Sequence, residues 1–189
     1  MAIDLAVTLW INGFAGRTFA VDLVGIIAAT ALLFIIGVAV IFVIAARTST
    51  ARAMFVVELV GTLIIAYAVS QFIGMVAFRE RPFVRHQEIR QLIEKDAREK
   101  SFPSDHATLA FALAIPAAAV VRRRWGSALL LAAAAVVGLG RVFVGVHYVS
   151  DVIAGGLLAC IVWFGVHRAV NAKIARFRAT SVSSDRTIV

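Results

Sequence analysis

Residues 23–46 read LVGIIAATALLFIIGVAVIFVIAA, with no charged side chain between Asp22 and Arg47. At about 1.5 Å per residue, a helix over this stretch crosses the roughly 30 Å hydrocarbon core of a bilayer. Further apolar segments follow it and no small-residue cleavage site stands out, so it does not read as a cleaved signal peptide. The run decides the fold class: an all-α membrane protein.

The rest of the chain agrees. Of 189 residues, 61% are hydrophobic, which leaves too little polar surface for a soluble domain of this length. Four more apolar runs, at residues 53–78, 107–121, 125–140 and 149–170, bring the expected spans to five. The third and fourth runs are short for a bilayer, so their helices must extend into flanking polar residues. Residues 3–14 are apolar, include Trp10 and precede Arg17. Within 1–22 they predict an interfacial helix, or a sixth span if they cross. The expected architecture is one membrane-embedded domain over 1–189, a bundle of five or six transmembrane helices with an interfacial helix.

Outside the spans, the longest connection is the loop 79–102. Its middle, 87–100, alternates charges and sets Ile89, Leu92, Ile93 and Ala97 at helical spacing, which predicts an amphipathic helix on the membrane surface. Residues 174–189 are basic and then Ser/Thr-rich, and are expected to form a flexible tail. The single cysteine, Cys160, lies in an apolar run as a packing residue.

The net charge of +8 is scattered between apolar spans, as in membrane proteins, so nucleic acid is not an expected partner. Anionic lipid or a phosphate substrate accounts for it better. Arg47, Arg52, Arg122, Arg123, Arg124 and the basic C-terminal segment fall on one side of a five-span bundle. The positive-inside rule makes that side cytoplasmic and turns the other face outward.

Three polar clusters fall together on that outward face: Arg79-Glu80-Arg81-Pro82-Phe83, Ser101-Phe102-Pro103-Ser104-Asp105-His106, and Arg141 with His147 and Asp151. His147 and Asp151, four apart at a helix start, share one face within hydrogen-bonding reach. A carboxylate on one imidazole nitrogen sets the tautomer and raises the basicity of the other, giving an oriented nucleophile or base. Gly145 lets the chain bend so that Arg141 turns back toward them. Ser104 or Asp105 is placed to cap the next helix, whose N-terminus favours an anion. His106 sits beside it, able to protonate a leaving oxygen. Guanidinium groups pair with phosphate oxygens in bidentate fashion. Two histidines, three arginines and a helix N-terminus describe a phosphoryl-transfer site that needs no metal or cofactor. Glu58 and Gln71 read as interhelical hydrogen-bond partners, and His86 and His167 carry no assigned chemistry.

These clusters resemble the type 2 phosphatidic acid phosphatase superfamily. Its motifs are a Lys with a downstream Arg-Pro, a Pro-Ser-Gly-His, and a Ser-Arg followed by His and Asp. Here they correspond to Arg81-Pro82, Pro103-Ser104-Asp105-His106, and Gly140-Arg141 with His147 and Asp151. The resemblance implies that His147 attacks phosphorus, Asp151 orients it, and His106 protonates the leaving group. It also implies that Arg81, Ser104 and Arg141 bind phosphate oxygens. Three positions depart from the pattern. The motif Lys falls at Gly74, with Arg79 as its expected replacement; the motif Ser is Gly140; and the motif Gly is Asp105, an added carboxylate in the anion site. The Pro-Ser-Asp-His and Arg-Pro-Phe variants resemble the bacterial undecaprenyl pyrophosphate phosphatases of this family. The implied reaction is hydrolysis of undecaprenyl diphosphate to the monophosphate, at the outer face of a bacterial plasma membrane. The alternatives are a phosphatidylglycerophosphate or phosphatidic acid phosphatase, a lipid phosphotransferase, or a non-enzymatic transporter or scaffold.

Overall fold

The computed structural model describes residues 2–185, with side chains through residue 176. Eight helices make up its regular structure: α1 (Ala2–Asn12), α2 (Phe19–Ala29), α3 (Ala31–Ala45), α4 (Ser49–Val76), α5 (Pro82–Arg85), α6 (Asp105–Val120), α7 (Arg124–Phe143) and α8 (Val149–Asp185). Helices satisfy every backbone group internally, which lipid demands.

The bundle is built around α6. Ala107, Ala110, Ala112, Ala114 and Ala117 of that helix are all fully buried. Small side chains let α3, α4, α7 and α8 approach it closely, where dispersion and close packing hold helices together in an apolar solvent. Ile36 and Val40 of α3, Phe55 and Leu59 of α4, and Val137 of α7 complete the main core. Large apolar side chains such as Phe34, Phe42, Phe72, Leu129 and Ile161 point outward, the reverse of a soluble surface.

By length and composition, α4, α7 and α8 (through Arg176) are each able to cross a membrane, and α2 with α3 makes a fourth candidate span. At 16 residues, α6 falls short. The run 23–46 is thus not one continuous helix. It breaks at Thr30 with a 45° bend. There the Thr30 hydroxyl donates to the Ile26 carbonyl at 2.6 Å, a side chain competing with the helix ladder.

Another difference lies in the outer loop. Residues 86–104 form turns and bends, and the amphipathic helix expected over 87–100 is absent. Tertiary partners take the backbone groups a helix would use. Arg90 N donates to Asn12 Oδ1 at 2.8 Å, and Asn12 Nδ2 donates to the Arg90 and Phe143 carbonyls. Leu92 N donates to the Val144 carbonyl, and Ser101 N to that of Arg79. Leu92 and Ile93 pack on Val144 and Val146. The apolar spacing therefore served loop packing, not a membrane-surface helix. α8 continues as helix to Asp185, through most of the stretch expected as a tail; positions 186–189 lie outside the described residues.

Candidate active site

The polar clusters meet at one end of the bundle, where α4 runs out, α6 begins and the α7–α8 turn lies. That turn is sharp because Gly145 adopts φ +80°, a conformation that costs glycine least. A Cβ there would collide with the Arg90 carbonyl oxygen. α8 then starts at Val149, and Asp151 in its first turn accepts from the Tyr148 backbone N–H at 2.8 Å, the carboxylate half of a capping box.

Asp151 is fully buried and richly bonded. It also accepts from Ser101 Oγ at 2.5 Å and Arg79 Nη1 at 2.7 Å. Its Oδ2 stands 3.6 Å from His147 Nδ1, an ion-pair distance longer than a hydrogen bond. The near partner of His147 Nδ1 is the Ser101 carbonyl oxygen at 2.8 Å. A carbonyl only accepts, so Nδ1 carries the proton and Nε2 keeps its lone pair. Burial, first of all, pushes the imidazole down to about 4; the Asp151 carboxylate opposes the shift, and the nearby Arg141 and Arg81 charges add to it.

His147 lines a cavity of about 500 Å³ with Arg81, Arg141, Asp105, His106, Lys95, Glu99, Lys100, Tyr67, Gln71 and Leu109. Arg81 Nη1 donates to the Val146 carbonyl at 3.0 Å and lies 3.4 Å from His147 Nε2, while Nη2 donates to Glu99 Oε2 at 3.0 Å. Burial lowers the Arg81 guanidinium from its ordinary range, and Glu99 beside it counters this. Arg141 is 1% exposed, with one long bond of 3.4 Å to the Ala29 carbonyl. The buried Nε atoms of both arginines have no hydrogen-bond partner among the described residues. Desolvated guanidinium groups with spare donors are the chemistry of an anion site.

Of the residues singled out from the sequence, Arg81, Asp105, His106, Arg141 and His147 line this cavity. Three do not. Asp151 stands behind His147. Ser104 is buried and its hydroxyl caps α6, accepting from Ala107 N at 3.4 Å. Arg79 faces a different cavity, of about 720 Å³. Its guanidinium bridges Asp4 and Asp151, at 2.8 and 2.7 Å, and stacks 3.7 Å over the Tyr148 ring. Arg79 is thus engaged behind His147 and lies outside the cavity that His147 lines.

Sequence reasoning missed Lys95, Glu99 and Lys100, which it assigned to a surface helix, although Lys100 stands only three residues before Pro103 of the Pro-Ser-Asp-His motif. Gln71, read as an interhelical partner, lines the cavity too. Glu58 does bridge helices, accepting from Trp163 Nε1 at 2.5 Å. Among the described residues, no three of His, Cys, Asp and Glu converge as metal ligands would. A larger groove of about 920 Å³, between α6, α7 and α8, is almost wholly apolar and includes Cys160 but no residue of the polar clusters.

Comparison with known proteins gives this geometry a context. The chain is 33% identical over 115 residues to YbjG of Escherichia coli K12, whose name marks it as a candidate undecaprenyl-diphosphatase. It is 36% identical over 103 residues to the undecaprenyl-diphosphatase BcrC of Bacillus subtilis 168. It is 30% identical over 115 residues to the bacitracin transport permease protein BcrC of Bacillus licheniformis. These matches cover 59%, 54% and 61% of this chain and 57%, 51% and 55% of the relatives, so the chain spans just over half of each relative's length. The fold resembles the crystal structure of Aquifex aeolicus LpxE, with a TM-score of 0.72 at 22% identity over 89% of this chain and 96% of that one. The PAP2 superfamily profile matches residues 55–175, a segment that contains every side chain lining the cavity, and the chain accordingly belongs to the PAP2 superfamily and is related to the bacterial undecaprenyl-diphosphatases.

Proposed function

We propose that this chain is a membrane lipid phosphatase that hydrolyses undecaprenyl diphosphate to undecaprenyl phosphate through a phosphohistidine on His147. The observation that carries the reading is the His147 ring. Its Nδ1 proton is committed to a backbone carbonyl, and its unprotonated Nε2, with one long contact of 3.4 Å to Arg81 Nη1, faces a cavity holding two buried arginines with unpartnered Nε donors. The names of the Escherichia coli and Bacillus subtilis relatives support the choice of substrate.

In the proposed first step, Nε2 attacks the terminal phosphorus and the anhydride P–O bond breaks. Undecaprenyl phosphate leaves, with His106 supplying the proton its oxygen takes up. Arg81 and Arg141 hold the equatorial oxygens as charge spreads over them. The Ser101 carbonyl and the Asp151 charge steady the imidazolium that forms. In the second step His106 takes a proton from water, water oxygen bonds to phosphorus, and the N–P bond breaks to release inorganic phosphate.

We read α6 as a fifth crossing, short because neighbouring helices surround it, and α1 as an interfacial helix. The basic residues at the opposite end support a cytoplasmic placement of that end and an extracytoplasmic site. Tyr67 and Gln71 of α4 and Leu109 of α6 extend the cavity toward membrane depth, which favours lateral entry of the lipid between these helices.

The test is phosphate release by the purified chain from undecaprenyl diphosphate and from phosphatidylglycerophosphate, with EDTA present and His147→Ala as control. Preferential release from the diphosphate, lost in the variant, is the expected result. Preference for the glycerolipid overturns the substrate. Release that survives His147→Ala overturns the mechanism, and absence of release from both lipids leaves transport, the activity in the Bacillus licheniformis relative's name, as the reading to pursue.

A further inference from the structure

Lys100 belongs to the outer loop, yet its side chain reaches into the cavity that holds Arg81, Arg141, His106 and His147. It gets there by crossing the face of α4 at Gly74. A Cβ at position 74 would overlap Lys100 Cδ and come within 2.7 Å of Cε and 3.1 Å of Cγ. Any side chain at 74 would fill the volume the Lys100 stem now occupies. Position 74 is also where the motif pattern calls for a lysine that this chain lacks.

The Lys100 ammonium is held at the cavity wall by Asp105 Oδ1 at 2.7 Å and the Pro103 carbonyl at 2.9 Å. Its third contact, to Ser70 Oγ, is long at 3.4 Å. An ammonium has three protons to donate. Two are well placed on strong acceptors, and the third is the one a phosphate oxygen would take over. The same arrangement accounts for Asp105. A carboxylate at the mouth of an anion site repels substrate unless it is neutralised, and Lys100 neutralises it while Ser70 Oγ donates to the same oxygen at 2.8 Å.

We propose that Lys100 is a ligand of the substrate phosphate, reaching from the outer loop over Gly74 into the position a lysine at 74 would occupy, with Asp105 and Pro103 orienting its ammonium. The proposal rests on the phosphatase reading. Residues 74, 100 and 105 then form one unit: glycine makes the room, lysine supplies the charge, and aspartate aims it. The competing role, in which Lys100 serves only as counter-ion to Asp105, gives different results in the following experiment.

Phosphate release from undecaprenyl diphosphate and inhibition by orthovanadate are measured on the full chain for Lys100→Ala, Lys100→Ala/Gly74→Lys and Lys100→Ala/Asp105→Asn. Thermal melts check that each variant is folded. Loss of one charge-assisted contact is expected to lower kcat/KM about 10- to 100-fold and to weaken orthovanadate inhibition about tenfold or more. Returning the lysine at position 74 recovers most of both. Removing the Asp105 charge recovers neither. Full recovery by Asp105→Asn overturns the proposal, as does a Lys100→Ala chain with unchanged kcat/KM and inhibition, or a folded double variant in which lysine at 74 recovers nothing. If the parent chain releases no phosphate, the phosphatase reading fails on its own. Orthovanadate binding, read as a thermal shift of parent against Lys100→Ala, then still decides whether Lys100 is an anion ligand.

Discussion

The Ser101 carbonyl oxygen lies 2.8 Å from His147 Nδ1, nearer than the Asp151 carboxylate at 3.6 Å. The imidazole tautomer is therefore set by backbone, and the carboxylate contributes charge and support. In a Ser-His-Asp triad, replacing the Asp by Asn gives the wrong tautomer and costs about 10⁴ in kcat. Here Asp151→Asn is expected to cost only about 10- to 100-fold, against about 10³-fold or more for His147→Ala. Single-turnover rates for the two variants check this. Equal losses would show that the carboxylate, not the carbonyl, governs the ring.

On the proposed reading, Glu99 is expected to compete with substrate for Arg81. Its carboxylate pairs with Arg81 Nη2 at 3.0 Å and Lys95 Nζ at 3.5 Å, and all three side chains line the cavity. Since Glu99 is half exposed, the pair itself is weak. Glu99→Ala is expected to lower KM about three- to tenfold with little change in kcat. Steady-state kinetics decide the matter; a raised KM would make Glu99 a positioning residue for Arg81.

The pH dependence follows from the depressed His147 value. The ring sits at about 4 instead of 6.5 because it is buried first of all, with Arg141 and Arg81 adding to the shift. It stays neutral and nucleophilic through pH 5 to 6, so the acid limb of kcat/KM due to this group is expected near pH 4 and not near 6.5. Stability carries the opposite cost. An unfolded chain protonates this histidine at about 6.5 while the folded one resists until about 4, so stability falls as pH drops across that window. A His147→Gln variant should lose that part of the pH dependence of the melting temperature.

Arg79 is expected to act through its neighbours. It ties Asp4 of α1 and Ser150 and Asp151 of α8 together, at 2.7 to 2.8 Å. Arg79→Ala should lower kcat and thermal stability while leaving KM within about twofold. A KM increase that dominates the effect would return it to the phosphate ligands.

Gly140 stands where the motif pattern has serine. Its α carbon packs against the α2 break, where a Cβ would come 2.6 Å from Ala29 N and 2.9 Å from Ala28 C. Gly140→Ser, although it restores the motif, is expected to destabilise the chain by about 1–3 kcal/mol through overpacking. Melting in detergent measures this. A more stable variant would mean that α2 and α7 separate at low cost.

The apolar runs, the punctuation between them and the three polar clusters were legible in the sequence. Lipid forces long uncharged segments into helices, and ionisable residues beside them stand out by their cost. Spacing alone brought His147 and Asp151 to one helix start, although His147 precedes α8 and its Nδ1 bonds the Ser101 carbonyl in place of the Asp151 carboxylate. Tertiary structure decided what spacing cannot carry. The bend at Thr30 depends on which carbonyl its hydroxyl meets. The outer loop is irregular because Asn12 and Val144, both far away in sequence, take part in its hydrogen bonds. Arg79 and Lys100 stand near the two ends of the outer loop; the sequence reading singled out Arg79 and passed over Lys100, and only packing sends the first behind the site and the second into it. Glycines at 74 and 140 read as losses from a motif until the structure brings a lysine stem over one and a helix backbone against the other. Local periodicity determines which segments are helical and which face is polar; distances between residues far apart in the chain are properties of the packed bundle alone.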